Sequence, residues 1–194
     1  MSERDTLIRS LHDLGAAAWF GGSLMGVVGL NGAAAAAKDP TERLRLSSIG
    51  WARWTPWQVA AIGTHAIGGV GLILTNKKRL ATQPGAGSAT VVKSLLTGVA
   101  IAATAYSGVL GAKVKAHENE GAAGATEPGA GSSRELASAQ KQLKALQWAL
   151  PALTGTILVL GVVHGEQQRG VAGLLDLGKD EVKRAVKQAV VKAS

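Results

Sequence analysis

The sequence predicts an all-α protein, an integral membrane four-helix bundle with an interfacial amphipathic helix at its C-terminus. Four apolar stretches, 14–37, 55–75, 91–112 and 148–165, carry no Asp or Glu and between them only the charge of Lys93. At 1.5 Å rise per residue each is long enough to cross or nearly cross a hydrocarbon core about 30 Å thick. Their apolar residues wrap the whole helix circumference instead of forming the single stripe of a soluble surface helix. A chain of 194 residues with spans of this length has no room for a second sizeable core. The expected organisation is a membrane domain over 1–165 and a basic tail over 166–194.

The first helix is expected to start near Asp5, ahead of its span, because Leu7, Leu11, Leu14 and Ala18 follow helical spacing along an interfacial lead-in. The leader mixes Glu3, Asp5 and Asp13 with Arg4 and Arg9 and precedes a long apolar run, which does not read as a cleavable signal. Asp39-Pro40-Thr41-Glu42 then opens a short helix carrying Leu44, Leu46 and Ile49, expected to lie along the membrane surface.

The second span has the clearest punctuation. Thr55 reads as its N-cap, Pro56 as its first helical residue and Gln58 as the partner in a capping box. Trp51, Trp54 and Trp57 precede that start at every third residue. The sharper reading of the triplet is a sugar or cofactor box; the one adopted is an aromatic belt at headgroup level. The third span needs no special explanation for Lys93, which lies near enough to an end to snorkel.

Between the third and fourth spans, 113–133 reads as a flexible loop, with the Gly, Ala, Pro and Ser run from Gly121 to Ser133 at its centre. Ser132 and Glu135 read as a second capping box, after which Leu136, Leu143, Leu146 and Leu150 mark one face of a long helix reaching His164. Pro151 is expected to bend it. In the tail, Val182, Val186, Ala189 and Val190 share one helical face, and the basic residues fall mainly elsewhere. The net charge of +8 is then explained by anionic lipid headgroups. No nucleic acid is expected as partner, for want of interleaved aromatics or a recognised binding module.

Orientation rests on the basic cluster Lys77-Lys78-Arg79, in a short loop directly after a span. The positive-inside rule places it, and with it both termini, in the cytoplasm. The expected location is the inner (plasma) membrane, crossed several times.

The chain has no cysteine, which excludes disulfides, thiolate metal sites and cysteine nucleophiles. Its glycine runs match no phosphate-loop or dinucleotide fingerprint. Small residues four apart, Gly22 with Gly26 and Ser107 with Gly111, suit close helix packing within one bundle or a homo-oligomer seam. Among intramembrane polar residues, Asn31, Thr104, Thr154 and Thr156 are expected to hydrogen-bond between helices or to the preceding turn. His12 opens the first span, His164 closes the fourth at the same membrane face, and His65 lies near mid-membrane. Imidazoles facing one another across a bundle can hold haem or a metal ion, so these three are the candidate cofactor-binding residues.

The segment Leu11-His12-Asp13-Leu14-Gly15-Ala16-Ala17-Ala18-Trp19-Phe20-Gly21-Gly22 resembles the first helix of the copper-resistance D-type membrane proteins and of related small four-helix bacterial membrane proteins. In those a His leads into a Trp-x-Gly-Gly stretch. The resemblance implies a bacterial inner-membrane bundle and carries a metal role onto His12. The methionine-rich metal motifs are missing, since Met1 and Met25 are the chain's two methionines.

No buried carboxylate pair or nucleophile–base arrangement is legible. The function expected is therefore that of a non-enzymatic accessory or interaction component without a resident cofactor, working with the lipid bilayer and a membrane protein partner. The alternatives are a haem- or copper-holding redox bundle using His12, His65 and His164, and a small-solute or ion transporter.

Overall fold

The computed structural model describes the backbone of residues 3–82 and 86–193, and the side chains of 6–77, 80–81 and 87–163. The described residues form helices α1 (Glu3–Met25), α2 (Asn31–Ala35), α3 (Pro40–Thr75), α4 (Lys77–Thr82), α5 (Ala86–Ala116) and α6 (Arg134–Ala193). A π-helical turn, Gly26–Leu30, joins α1 to α2, and a 3₁₀ turn, Glu118–Glu120, follows α5. Among the described residues four helical segments are long and apolar enough to cross a membrane: Thr6–Ala35, Pro40–Thr75, Gly87–Ala116 and Arg134–Val163. The chain divides into two units, Met1–Leu158 and Val159–Ser194. The second is helical to Ala193. The amphipathic face expected of the tail, like the side chains of Lys78 and Arg79, lies outside the described residues.

The second span does not begin at Thr55. The surface helix and the span expected after it are one helix, α3, whose N-cap is Asp39: its carboxylate accepts from the Thr41 N–H at 2.8 Å, with Pro40 at the first helical position. Pro56 sits inside this helix, and the Thr55 hydroxyl turns back to the Trp51 carbonyl at 2.9 Å instead of capping forward. Leu44, expected on a surface helix, is fully buried.

The seam between α1 and α3 sets bulky residues against glycine. Ile8, His12, Gly15, Trp19 and Gly22 of α1, with Gly26 at the start of the π turn, recur at alternating steps of four and three, as Trp51, Trp54, Gln58, Ala61, His65 and Gly68 do on α3. A Cβ added at Gly22 would strike the Trp54 ring, one at Gly26 the Trp51 ring, and one at Gly71 would come within 2.7 Å of the Ile8 Cγ2. Two of the three tryptophans expected as an interfacial belt are therefore knobs in the helix seam, and Trp57 alone of the triplet is exposed. Two apolar clusters complete the core of the first unit. One gathers Leu44, Leu110, Val114, Ala122, Leu136, Ala139 and Leu143; the other joins Trp19 and Ala61 to Ala100 and Ile157.

The segment expected as a flexible loop over 113–133 is packed. Lys113 to Ala116 complete α5, and Gly121, Ala122, Gly124, Ala125 and Thr126 are buried. Gly121 adopts a φ of 69°, where a side chain would be strained and its Cβ would meet the Pro40 Cβ at 2.9 Å. The next N–H, of Ala122, donates to the Pro40 carbonyl at 3.1 Å. Arg43 donates to the carbonyls of Ala37, Ala122 and Ala123, and the buried Gln140 amide to those of Gly124 and Ala125. Composition hid this, because the segment has few large apolar residues and is held through its backbone carbonyls by side chains remote in sequence. The cap of α6 is also one residue later than expected: Ser133 Oγ accepts from the Leu136 N–H, whereas Ser132 Oγ accepts from Gly129 N and donates to Gly121 O.

His117 gives this cap a dependence on pH. Its Nδ1 donates to the Lys113 carbonyl at 2.9 Å and its Nε2 lies 3.6 Å from the Glu135 carboxylate. The carbonyl raises its pKa above the ordinary 6.5, and Glu120 and Glu135 add to the effect. With the folded-state value raised, the stabilisation is fully present below the unfolded pKa and is lost as pH rises through the folded one. A proton NMR titration of His117 is expected to give a midpoint above 6.5 that moves back toward it in Glu135→Gln. An unshifted midpoint in the wild type would contradict the contact.

Candidate functional site

The structure brings two of the three candidate histidines together. His12 and His65 stack with ring centroids 4.0 Å apart and planes inclined by 22°. Each Nδ1 reaches the other residue's backbone carbonyl, at 3.0 Å from His12 to His65 O and 2.9 Å from His65 to His12 O. A carbonyl only accepts, so each Nδ1 carries a proton and donates it. The approach is possible because Gly15 and Gly68 each stand three residues after a histidine. A Cβ at Gly68 would come within 2.7 Å of the His12 Cα, and one at Gly15 within 2.9 Å of the His65 Cα. The motif His-x-x-Gly thus occurs twice, once on each helix, with each glycine admitting the other helix's histidine. Trp19 meets His65 edge-on at 6.4 Å.

This reciprocal arrangement clasps two helices. It differs from the expected one, in which His12 neighboured His164 and His65 stood apart at mid-membrane; the side chain of His164 lies outside the described residues. Axial haem ligation would require the two rings to face one another across an iron, and stacked rings at 4.0 Å leave no such gap. Among the described residues no group of three or more His, Cys, Asp or Glu side chains is placed to share a metal ion.

A second polar cluster lies at Asn31. Its Nδ2 donates to Gln147 Oε1 at 2.7 Å, and its Oδ1 accepts from Trp51 Nε1 at 2.9 Å and from Ser47 Oγ at 3.5 Å. The π turn positions it. Five residues beyond Gly26, an α-helix would carry Asn31 about 140° round the axis, whereas here the Asn31 N–H bonds to the Gly26 carbonyl and the side chain points inward.

Beside this cluster is a cavity of about 390 Å³. Ser48, Ala52, Thr55 and Val59 line it from α3, and Thr104, Gly108, Gly111 and Lys115 from α5, each set on one helical stripe. Ser23 and Gln58 also face it and are more than nine-tenths buried, and the Ser23 hydroxyl has no hydrogen-bond partner among the described residues. Leu143, Gln147 and Leu150 of α6 complete this side. An adjoining recess of about 420 Å³ shares Ser48, Ala52 and Lys115 with the cavity and adds Arg45, Arg53 and Glu118. Apolar walls with a few convergent polar groups are the usual make-up of a small-molecule site.

No family model, curated protein or solved structure matches the chain. The site is therefore read from its own chemistry. The sequence points to His12, His65 and Asn31; it gives no signal for Ser23, Ser47 or Gln147, and it places Gln58 in a helix cap. The available signal for Gln58 was its place on the same alternating stripe as Trp51, Trp54, Ala61 and His65.

Proposed function

We propose that the chain is an integral membrane protein of the inner membrane, crossing it four times with both termini in the cytoplasm, and that it serves as a non-enzymatic accessory or interaction component. One observation carries the membrane reading: large apolar side chains face outward along the helices of the first unit while polar ones are buried among them. Leu14, Ile67 and Leu95 are 67%, 69% and 66% exposed, while Asn31 and His65 are 9% and 2% exposed. Exposed apolar area continues along every candidate span, well beyond the isolated patches of a soluble monomer. Hydrocarbon around the helices favours such a surface and forces the polar groups to find partners inside. The role as a component is supported by how those groups are used: His12, His65 and Asn31 are engaged in holding helices together.

The absence of native cysteine makes the reading directly testable. Single cysteines introduced at exposed Ile67 and Leu95 are expected to resist a water-soluble maleimide in intact membranes, whereas one at exposed Lys38 reacts. The protein should remain with the membrane after carbonate washing and require detergent for extraction. Recovery in solution without detergent would end the proposal, and a C-terminal reporter active only outside the cytoplasm would reverse the orientation.

A further inference from the structure

We infer that the cavity between α3 and α5 is a binding site for one anionic glycerophospholipid, with its phosphate at Arg53 and Lys115 and its ester carbonyls at Gln58 and Ser23. The argument begins with the recess, where Arg45, Arg53 and Lys115 stand against the carboxylate of Glu118. Arg45 is 3.9 Å from Glu42 across an exposed pair, and Arg53 and Lys115 have no ion-pair partner among the described residues. The recess and the cavity share Ser48, Ala52 and Lys115 as walls, which sets the cationic groups at the rim of the cavity. A free inorganic anion would satisfy the rim and leave the cavity unexplained; a neutral hydrocarbon would do the reverse. An amphiphile with an anionic head matches both.

The polar groups deeper in fix the class further. Gln58 lies five residues beyond Arg53 on α3, a rise of about 7.5 Å with a turn of about 140°, so Arg53 lines the recess and Gln58 the deeper cavity. The buried Ser23 hydroxyl is a donor without a partner among the described residues, the buried Gln58 amide lines the same cavity, and an ester carbonyl is an acceptor for either. The start of an acyl chain then meets Val59 and Leu150.

Gly108 and Gly111 add an independent observation. A Cβ at either would meet nothing within 4 Å, unlike the glycines of the α1–α3 seam. These two keep space open instead of admitting a neighbouring helix.

This inference rests on the membrane reading, and the two fail differently. A protein that needs no detergent refutes both, while a detergent-extracted protein with an unused cavity refutes only this one. The test adds phosphatidylglycerol or phosphatidylcholine to the full-length protein in mild detergent, reading bound lipid by native mass spectrometry and the shift in unfolding midpoint. One phosphatidylglycerol is expected to bind about tenfold or more tightly than phosphatidylcholine. Gly111→Leu fills the cavity and should abolish that binding, and Arg53→Gln with Lys115→Gln should weaken it about tenfold, although the basic tail is intact in both. Equal binding of the two lipids, or unchanged phosphatidylglycerol binding in Gly111→Leu, would overturn the assignment. Should Gly111→Leu fail to fold, unchanged binding in the Arg53 and Lys115 double variant would do so alone.

Discussion

Gly68→Leu is expected to destabilise the folded protein by at least about 3 kcal/mol, at or beyond the upper end of ordinary overpacking. The obstruction is backbone: a Cβ at Gly68 would be 2.7 Å from the His12 Cα. At Gly22 and Gly26 the obstacle is an indole ring that can turn, but at Gly68 the whole of α1 must move. That displacement also separates the stacked imidazoles and breaks both Nδ1–carbonyl bonds. Gly15→Leu should behave alike, because its Cβ would come within 2.7 Å of the Ala61 carbonyl and 2.9 Å of the His65 Cα. The control is Gly63→Leu, on the same helix, where a Cβ meets nothing within 4 Å. There the better helix propensity should give up to about 1 kcal/mol of stabilisation. Unfolding midpoints in detergent test the contrast, and equal midpoints for Gly68→Leu and Gly63→Leu would show that the crossing is not close.

Asn31→Leu is the second large effect, expected to cost about 2 kcal/mol. It removes the acceptor of Trp51 Nε1 and the donor to Gln147 Oε1, leaving both partners buried or half-buried without it. An orphaned buried polar group costs about 1–3 kcal/mol, but interhelical hydrogen bonds in membrane proteins average about 0.6 kcal/mol. In the proposed membrane setting the lower scale governs each bond, and the loss of two or three at one side chain sets the total. Replacing both ends of the 2.7 Å bond, as Asn31→Leu with Gln147→Leu, should cost less than the two single changes summed. Additive costs would mean that Asn31 and Gln147 do not act as a pair.

Much of the helix plan was legible because hydropathy and length are local properties. The four apolar segments and the start of the first helix ahead of its span could be read from composition and spacing, whereas the final helix, expected to reach His164, runs on to Ala193. Punctuation misled where two explanations share residues. Thr55-Pro56-x-Gln58 has the form of a helix start, but a hydroxyl four residues after Trp51 can equally bond backwards, and only the surrounding helices decide between them. The 113–133 segment misled for a related reason. Its glycines and alanines have little to bury, so its order depends on Arg43 and Gln140, both distant in sequence.

The histidines mark the boundary most clearly. Sequence alone determined that His12 and His65 each sit on an apolar helix, three residues ahead of a glycine. Which partner each would take was decided by the crossing of α1 and α3, where glycine lets the backbones approach and puts a carbonyl within reach of each ring. The same holds for the cavity. The sequence supplied Gly108, Gly111, Gln58, Arg53 and Lys115, but a void and its rim belong to no single helix. They exist only where α3 and α5 pack side by side, because local periodicity fixes the face a residue occupies and tertiary packing fixes what that face meets.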